Sequence, residues 1–415
     1  MNRSDFEIMA PAGSREALAS ALGAGADSVY FGAGALNMRA GSASPFTAAD
    51  LPEIAQRCGD AGAKSYLALN TVIYERDRGE MLSLLDAAAG AGVSAVIAAD
   101  PAAMTAARER GLSVHLSTQL NIANADSLAF YARWADTAVL ARELDLGQVA
   151  EISALIKERN ICGPSGRPVR IEMFCHGALC MAVSGRCALS LHTGGKSANR
   201  GECLQVCRRR YRAVDDVRGK ELEVDNGYIF SPKDLCTVGI VGRMIAAGVS
   251  VFKIEGRARS PEYVKTTVEC YGEAVRAVAE GRFTPELAAK LKERLARVFN
   301  RGFWEGWYLG AETMERAKEA GSAATRKKLY AGRCVNWYAK AKAGEFEMHG
   351  ETVRPGDELL VIGPTTGVVE FTPDEIRVEG KKAGCARKGE SATMPVAEKI
   401  RPGDLLYVLR AAERR

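Results

Sequence analysis

Histidine is scarce in this sequence: four residues in 415, at His115, His176, His192 and His349. No His-Glu-x-x-His and no Gly-x-Ser-x-Gly occurs, which removes the common zinc-hydrolase and serine-hydrolase signatures. No Gly-x-Gly-x-x-Gly follows the first apolar strand, so a dinucleotide site there is disfavoured. Long apolar runs are missing too. The longest, such as Ser94–Ala99, are strand-sized and well short of the roughly 20 residues of a membrane span. Met1 to Ala10 has no apolar core of leader length with a cleavage site, so the expected location is the cytoplasm, with no membrane partner. Strong charge of one sign is also absent. Fifty-six Lys and Arg against 51 Asp and Glu leave +5, which permits an anionic partner without requiring one.

What is present is a globular composition, 47% hydrophobic and 26% charged, with enough apolar area for one large domain and a smaller one. From residue 6 to about 280, short apolar runs alternate with longer amphipathic ones. Glu7–Met9, Ser28–Phe31, Lys64–Leu69, Ser94–Ala98, Ser113–Ser117, Thr137–Leu140, Arg170–Phe174 and Val251–Glu255 read as eight strands. Helical stretches separate nearly all of them, the first capped by Ser14. Alternation of this kind gives a parallel sheet, and eight strands over about 270 residues predict closure into a TIM-like (β/α)8 barrel. An open doubly wound sheet is the second choice.

The spacing breaks once. About 75 residues, Cys175 to Ser250, separate the seventh and eighth strands, where a normal unit needs about 30. An insertion at the carboxyl end of a barrel strand is where function is usually built. We therefore expect a barrel over residues 1–285 with a Cys-rich insertion at 175–236, then a helical connector at 286–330 that includes a helix over Glu312–Ala324. A small all-β barrel domain is expected over 331–415, where Arg-Pro-Gly-Asp occurs twice, at Arg354 and Arg401, as a turn entering a strand.

Eleven cysteines are many for a reducing compartment, where a disulfide framework is not expected. Cys58, Cys162, Cys270, Cys334 and Cys385 are scattered and read as ordinary thiols. Cys175, Cys180, Cys187, Cys203, Cys207 and Cys236 fall within about 60 residues. Their spacing matches neither a zinc ribbon nor a compact ferredoxin run, so it indicates a metal site and leaves the metal open. Arg200, Arg208, Arg209, Arg210 and Arg212 crowd the same segment: a solvated basic loop, or a contact surface for phosphate or carboxylate.

These segments resemble peptidase family U32. The run from Glu172 to Ser190, containing Phe174-Cys175-His176-Gly177 and Gly185-Arg186-Cys187, carries its signature. Further matches are Asn199–Arg208, Ser231–Cys236, Phe252–Arg257, Ser260–Val264, the opening Ala10-Pro11-Ala12-Gly13 and the Asn300–Gly306 connector. The family's Gln-Pro-Cys-Arg motif has Val206 in place of proline. The family is named for a collagenase-like protease activity, but its better understood members are hydroxylation proteins, oxygen-independent or prephenate-dependent. They act on tRNA wobble uridine, a ribosomal RNA cytidine or a ubiquinone precursor. Length and the β domain resemble the tRNA uridine branch most. The resemblance implies a [4Fe–4S] cluster on Cys180, Cys187, Cys203 and Cys236, with Cys207 as competitor for a ligand position. It also implies prephenate as co-substrate, tRNA as partner and an electron-donor protein.

At the predicted barrel mouth, strand ends carry Asn70, Asp100, Gln119, Glu143, Glu255 and Arg257, with Glu172 and His176 on the seventh strand. Lys253 and Glu255 share one side of their strand: an interior ion pair or an acid–base pair. Asn70 and His176 complete the candidate catalytic set. Arg39, Gln119, Arg200, Arg208 and Arg257 are the candidate substrate contacts, with Arg39 and Arg257 able to clamp a dicarboxylate. A Cys180–His176 dyad is the best case for hydrolysis, but cluster ligation would consume its thiolate. A non-catalytic RNA-binding iron–sulfur module is the third reading.

Overall fold

Eight strand-sized runs are strands of one closed barrel in the computed structural model, which describes residues 1–41, 46–222 and 226–412. Residues 223–225 of the expected insertion and 413–415 of the expected β domain lie outside the described residues. The chain runs β1 (Glu7–Ala12), α1 (Arg15–Gly23), β2 (Ser28–Phe31), α2 (Leu51–Asp60), β3 (Lys64–Leu69), α3 (Arg78–Gly90), β4 (Ala95–Ala98), α4 (Pro101–Glu109). It continues through β5 (Ser113–Leu116), α5 (Ala125–Ala132), β6 (Thr137–Val139), α6 (Leu146–Glu158) and β7 (Arg170–Ala178). The insertion holds α7 (Leu189–Gly194), the hairpin β8 (Ala213–Asp215) and β9 (Lys220–Leu222), then β10 (Asp234–Cys236). The barrel resumes with α8 (Val241–Ala246), β11 (Val249–Ile254), α9 (Pro261–Ala279) and α10 (Pro285–Ala296).

Strands β1 to β7 pair in parallel, each with the next, and β11 pairs in parallel with both β7 and β1. Each strand buries both faces, one against the helices and one inside the barrel, so the strands read as continuous apolar runs. Inside, Met9, Tyr30, Tyr66, Ala95, Ile97 and Val251 form the apolar layer. Five of the helices, α1, α4, α5, α6 and α10, start on side-chain caps. The Ser14 hydroxyl accepts from the Ala17 amide, and Asp100 accepts from Ala102 with Pro101 in the first turn. Each cap contributes about 1 kcal/mol. Among the described residues no helix is long and apolar enough to cross a membrane.

One irregularity controls the site. Lys253 lies opposite Phe174, but Ile254 lies opposite His176, so Cys175 is an extra residue in β7. A bulge of this kind shifts side-chain parity by one. Beyond it β7 continues to Ala178, where β10 pairs with it antiparallel, Cys236 facing His176 in register.

The connector departs from the expected pattern. Glu312–Ala324 forms no helix. It is an extended strap: Lys233 donates to the Glu315 carbonyl, Ala317 to Ser231 and Ala323 to Asn300. Ala317 is the buried apolar residue of this stretch and Gly321 has φ +81, so no apolar stripe exists for a helix to bury.

After β12 (Phe303–Trp304) come β13 (Arg326–Tyr338), β14 (Ala343–Met348), β15 (Leu359–Gly363), β16 (Gly367–Phe371), β17 (Ile376–Val378), β18 (Lys381–Ala383), β19 (Ser391–Pro395) and β20 (Leu405–Ala411). β13 to β20 form an antiparallel sheet ordered 16-15-20-13-14-19-17-18. Phe346 of β14 stacks on Phe371 of β16, four places away in that order, so the sheet rolls around one core. Its outer face docks on the barrel at α1, where a Cβ on Gly367 would come within 3.0 Å of the Ala19–Ser20 backbone. The two Arg-Pro-Gly-Asp segments are the same turn. In each, the aspartate carboxylate accepts from the arginine amide at 2.8 Å, and glycine takes positive φ.

Candidate functional site

The carboxyl ends of the barrel strands and the insertion enclose a cavity of about 210 Å³. Its floor is Tyr30, Phe174 and Lys253. The barrel side carries Arg39, Asn70, Gln119, Arg142, Glu255 and Arg257, and the insertion side carries Cys180, Cys187, Cys203, Cys207 and Arg208. With Arg259, six cationic side chains line it against one carboxylate, Glu255. That imbalance favours anionic ligands.

Lys253 and Glu255 do share a side of β11, but they do not pair with each other. Lys253 Nζ lies 2.6 Å from Glu172, inside the barrel, and 4.8 Å from the centroid of Tyr30. Glu172 also meets His115 at 3.2 Å. Burial opposes its charge, but Lys253 and His115 outweigh burial and hold the carboxyl below the usual range. Glu255 pairs with Arg39 at 2.8 Å. Its own burial is again outweighed, by Arg39, Arg259 and Arg257, and it stays ionised. Asn70 is fixed by the Met38 amide and Ser117. Glu143 accepts from the Ser184 amide and holds the Val183–Gly185 turn, while Asp100 is spent on the α4 cap.

Four thiols stand on this cavity: Cys180, Cys187, Cys203 and Cys207. Cys180 is exposed and the others half-buried. Burial pushes the Cys207 thiol up, and the other three are close enough to act on it electrostatically. The Leu189 amide donates to Cys187 Sγ at 3.3 Å. Soft thiols presented together, with an N–H aimed at one sulfur, suit an iron–sulfur cluster. Among the described residues no three His, Cys, Asp or Glu converge tightly enough for a single metal ion. A cubane is larger than an ion, so its ligands stand further apart.

Cys236, which the resemblance places among the ligands, lies away from these four. Its pairing with β7 draws it behind the barrel wall, where it is 2% exposed beside Cys175, Tyr271 and Cys270. Cys207 takes its place on the cavity. His176, a candidate catalytic residue, also lies off the cavity. The bulge at Cys175 turns it outward, against Tyr263, Tyr271 and Phe303, and burial pushes its pKa down to about 3. No Cys180–His176 dyad forms. Arg200 is not a free substrate contact, because its guanidinium is tied to Asp77 and stacked on Tyr74. Arg208 lines the cavity but spends its donors on Leu179, Ser231 and Pro232, pinning three segments of the insertion. Gln119 lines the cavity with its amide unpartnered among the described residues. Arg142 and Arg259 are residues missed from sequence; Arg142 follows a three-residue strand, and no spacing marks it.

A sequence model of peptidase family U32 matches residues 13–318. The chain is 54% identical over 407 residues, 98% of each chain, to a Porphyromonas gingivalis protein named collagenase. It is 29% identical over 412 residues to tRNA hydroxylation protein P1 of Bacillus subtilis, covering 96% of this chain and 94% of the relative. It is 32% identical over 278 residues to a 23S rRNA 5-hydroxycytidine synthase of Escherichia coli, covering 67% of this chain and 40% of the relative. With cavity, insertion and strand ends all inside the matched region, the chain belongs to peptidase family U32.

Proposed function

We propose that this protein hydroxylates an RNA base, most specifically tRNA wobble uridine at C5, with prephenate as co-substrate and a [4Fe–4S] cluster on Cys180, Cys187, Cys203 and Cys207. The observation that carries the reading is the meeting of four thiols with a cation-rich cavity at the mouth of a barrel. When bound, the cluster would supply electron transfer or polarisation of a reactant. The remaining work falls to side chains. Glu255, kept ionised by Arg39, is placed to hold a proton at the cavity wall. Lys253, neutralised from beneath by Glu172, keeps the floor polar. Gln119 offers an amide to a base edge. Arg209, Arg210, Arg212 and Arg218, on and beside the β8–β9 hairpin, would position an RNA backbone. An electron-donor protein belongs to the same reading.

The collagenase name of a 54% identical relative supports a second reading, peptide hydrolysis. Two of its candidate bases are withdrawn: His176 is behind the wall, and His115 is engaged with Glu172 inside the barrel. Nucleoside mass spectrometry of tRNA from a deletion strain separates the two. We expect loss of 5-hydroxyuridine derivatives, restored by the wild-type gene and not by Cys203→Ala. Unchanged nucleosides, with gelatin cleavage by the purified protein, would reverse the assignment.

A further inference from the structure

Two arginines at the barrel mouth are buried without an ion pair among the described residues; Glu255, which is paired with Arg39, acts on Arg257 only at longer range. Arg142, just after β6, is 9% exposed and stacks on Phe174, its Cζ 5.3 Å from the ring centroid. Its Nε is buried without a hydrogen-bond partner. Arg257, just after β11, is 6% exposed, with Cζ 5.7 Å from the centroid of Tyr30 and Nη1 donating to Asn37 at 2.9 Å. Among the described residues no carboxylate lies within ion-pair distance of either. Their neighbours are served: Arg39 by Glu255, Arg301 and Arg259 by Asp234, Lys253 by Glu172. The backbone is also shaped around Arg257. A Cβ on Gly13 would sit 1.6 Å from its carbonyl oxygen, and one on Gly32 would sit 2.7 Å from its Nη1. The Ala-Pro-Ala-Gly opening of the sequence is thus part of the arginine's seat.

A buried cation with no directly paired carboxylate is costly to hold, and so is a buried donor without an acceptor. Both costs are relieved if the counter-ion arrives as a ligand. We propose that Arg142 and Arg257 are the anion-binding groups of this cavity and hold a small organic dicarboxylate, one carboxylate on each guanidinium. The ligand body lies over the Tyr30–Phe174 floor, where Lys253 Nζ sits between the rings at 4.8 and 5.6 Å from their centroids. Guanidinium matches carboxylate as a planar fork. Both forks are nine-tenths buried in a cavity of about 210 Å³, so the ligand is a small molecule rather than a nucleic-acid backbone. The assignment rests on the function proposed above only for the choice of prephenate as probe.

The test is calorimetric titration of the purified protein without RNA, using prephenate, phenylpyruvate (one carboxylate fewer), malonate and inorganic phosphate. Prephenate is expected to bind, with phenylpyruvate at least about tenfold weaker, the worth of one charge-assisted contact. Arg142→Gln and Arg257→Gln should each weaken prephenate by about tenfold or more, while Arg133→Gln on the outer surface leaves it unchanged. Should a glutamine variant fail to fold, Arg142→Lys and Arg257→Lys keep the charge without the fork and should weaken binding several-fold. Wild-type affinity in the lysine or glutamine variants overturns the proposal. So does equal affinity for prephenate, phenylpyruvate and phosphate, or a wild-type protein that binds neither prephenate nor malonate. Prephenate bound through both arginines, with unchanged tRNA nucleosides in the deletion strain, would sink the RNA reading and leave this one standing.

Discussion

Two groups of cysteines lie on opposite sides of one strand. On the mouth side of β7, Cys180, Cys187, Cys203 and Cys207 are exposed or half-buried beside arginines and an open cavity. On the helix side, Cys175, Cys236 and Cys270 are sealed at 2% exposure or less with His176 and Tyr271. Burial pushes the Cys236 thiol up to about 11, and no open cavity adjoins it. The same residue type therefore performs different work according to access, and six clustered cysteines in sequence become two groups in space.

The largest effect that can break this contrast is metal loss. Cys207→Ser should abolish the iron content and visible absorbance of anaerobically purified protein almost completely. Cys236→Ala should keep both and cost about 1–3 kcal/mol of stability through lost packing. Urea titration and iron analysis on the two variants read this directly. A bleached Cys236→Ala protein beside an iron-replete Cys207→Ser protein would exchange the two groups.

Next in size is the acid response of the sealed side. His176 titrates near 6.5 when unfolded and, by burial, near 3 when folded. The unfolded chain thus binds a proton first as pH falls. Stability is full above 6.5 and declines from there toward pH 3, by roughly 5 kcal/mol over the whole window at 1.36 kcal/mol per unit. His176→Phe should flatten that part of the pH–stability curve relative to wild type. Parallel curves would mean that the imidazole is not sealed.

Much of this was legible in the sequence. The strand runs placed β2 and β3 at their observed ends, because both faces of those strands are buried and the apolar run ends where burial ends. The insertion announced itself by length. Parity failed at one point: Glu172, Phe174 and His176 share a face by period two, but the bulge at Cys175 moves His176 across the wall. The position of Cys236 was illegible for a related reason, since it follows from antiparallel pairing with the bulged end of β7, which no local pattern encodes. Arg142 escaped notice because an unpaired buried charge is a property of three dimensions.

The smallest effect concerns where the mouth region ends. Arg200 sits in the arginine-rich segment with Arg208, yet Asp77 and the Val72 carbonyl satisfy its guanidinium and Tyr74 stacks beneath it. The Val72 amide, in turn, donates to the Asn199 carbonyl. These contacts tie the insertion to the loop between β3 and α3, so Arg200 acts on the cavity only by holding its cysteine-bearing wall in place. A partly exposed bidentate pair contributes about 1–2 kcal/mol. Arg200→Ala should therefore lower stability by that amount in urea, leave iron content intact, and leave the salt dependence of tRNA binding unchanged. A shallower salt slope with unaltered stability would instead make Arg200 a phosphate contact and extend the RNA surface from the hairpin to the barrel rim.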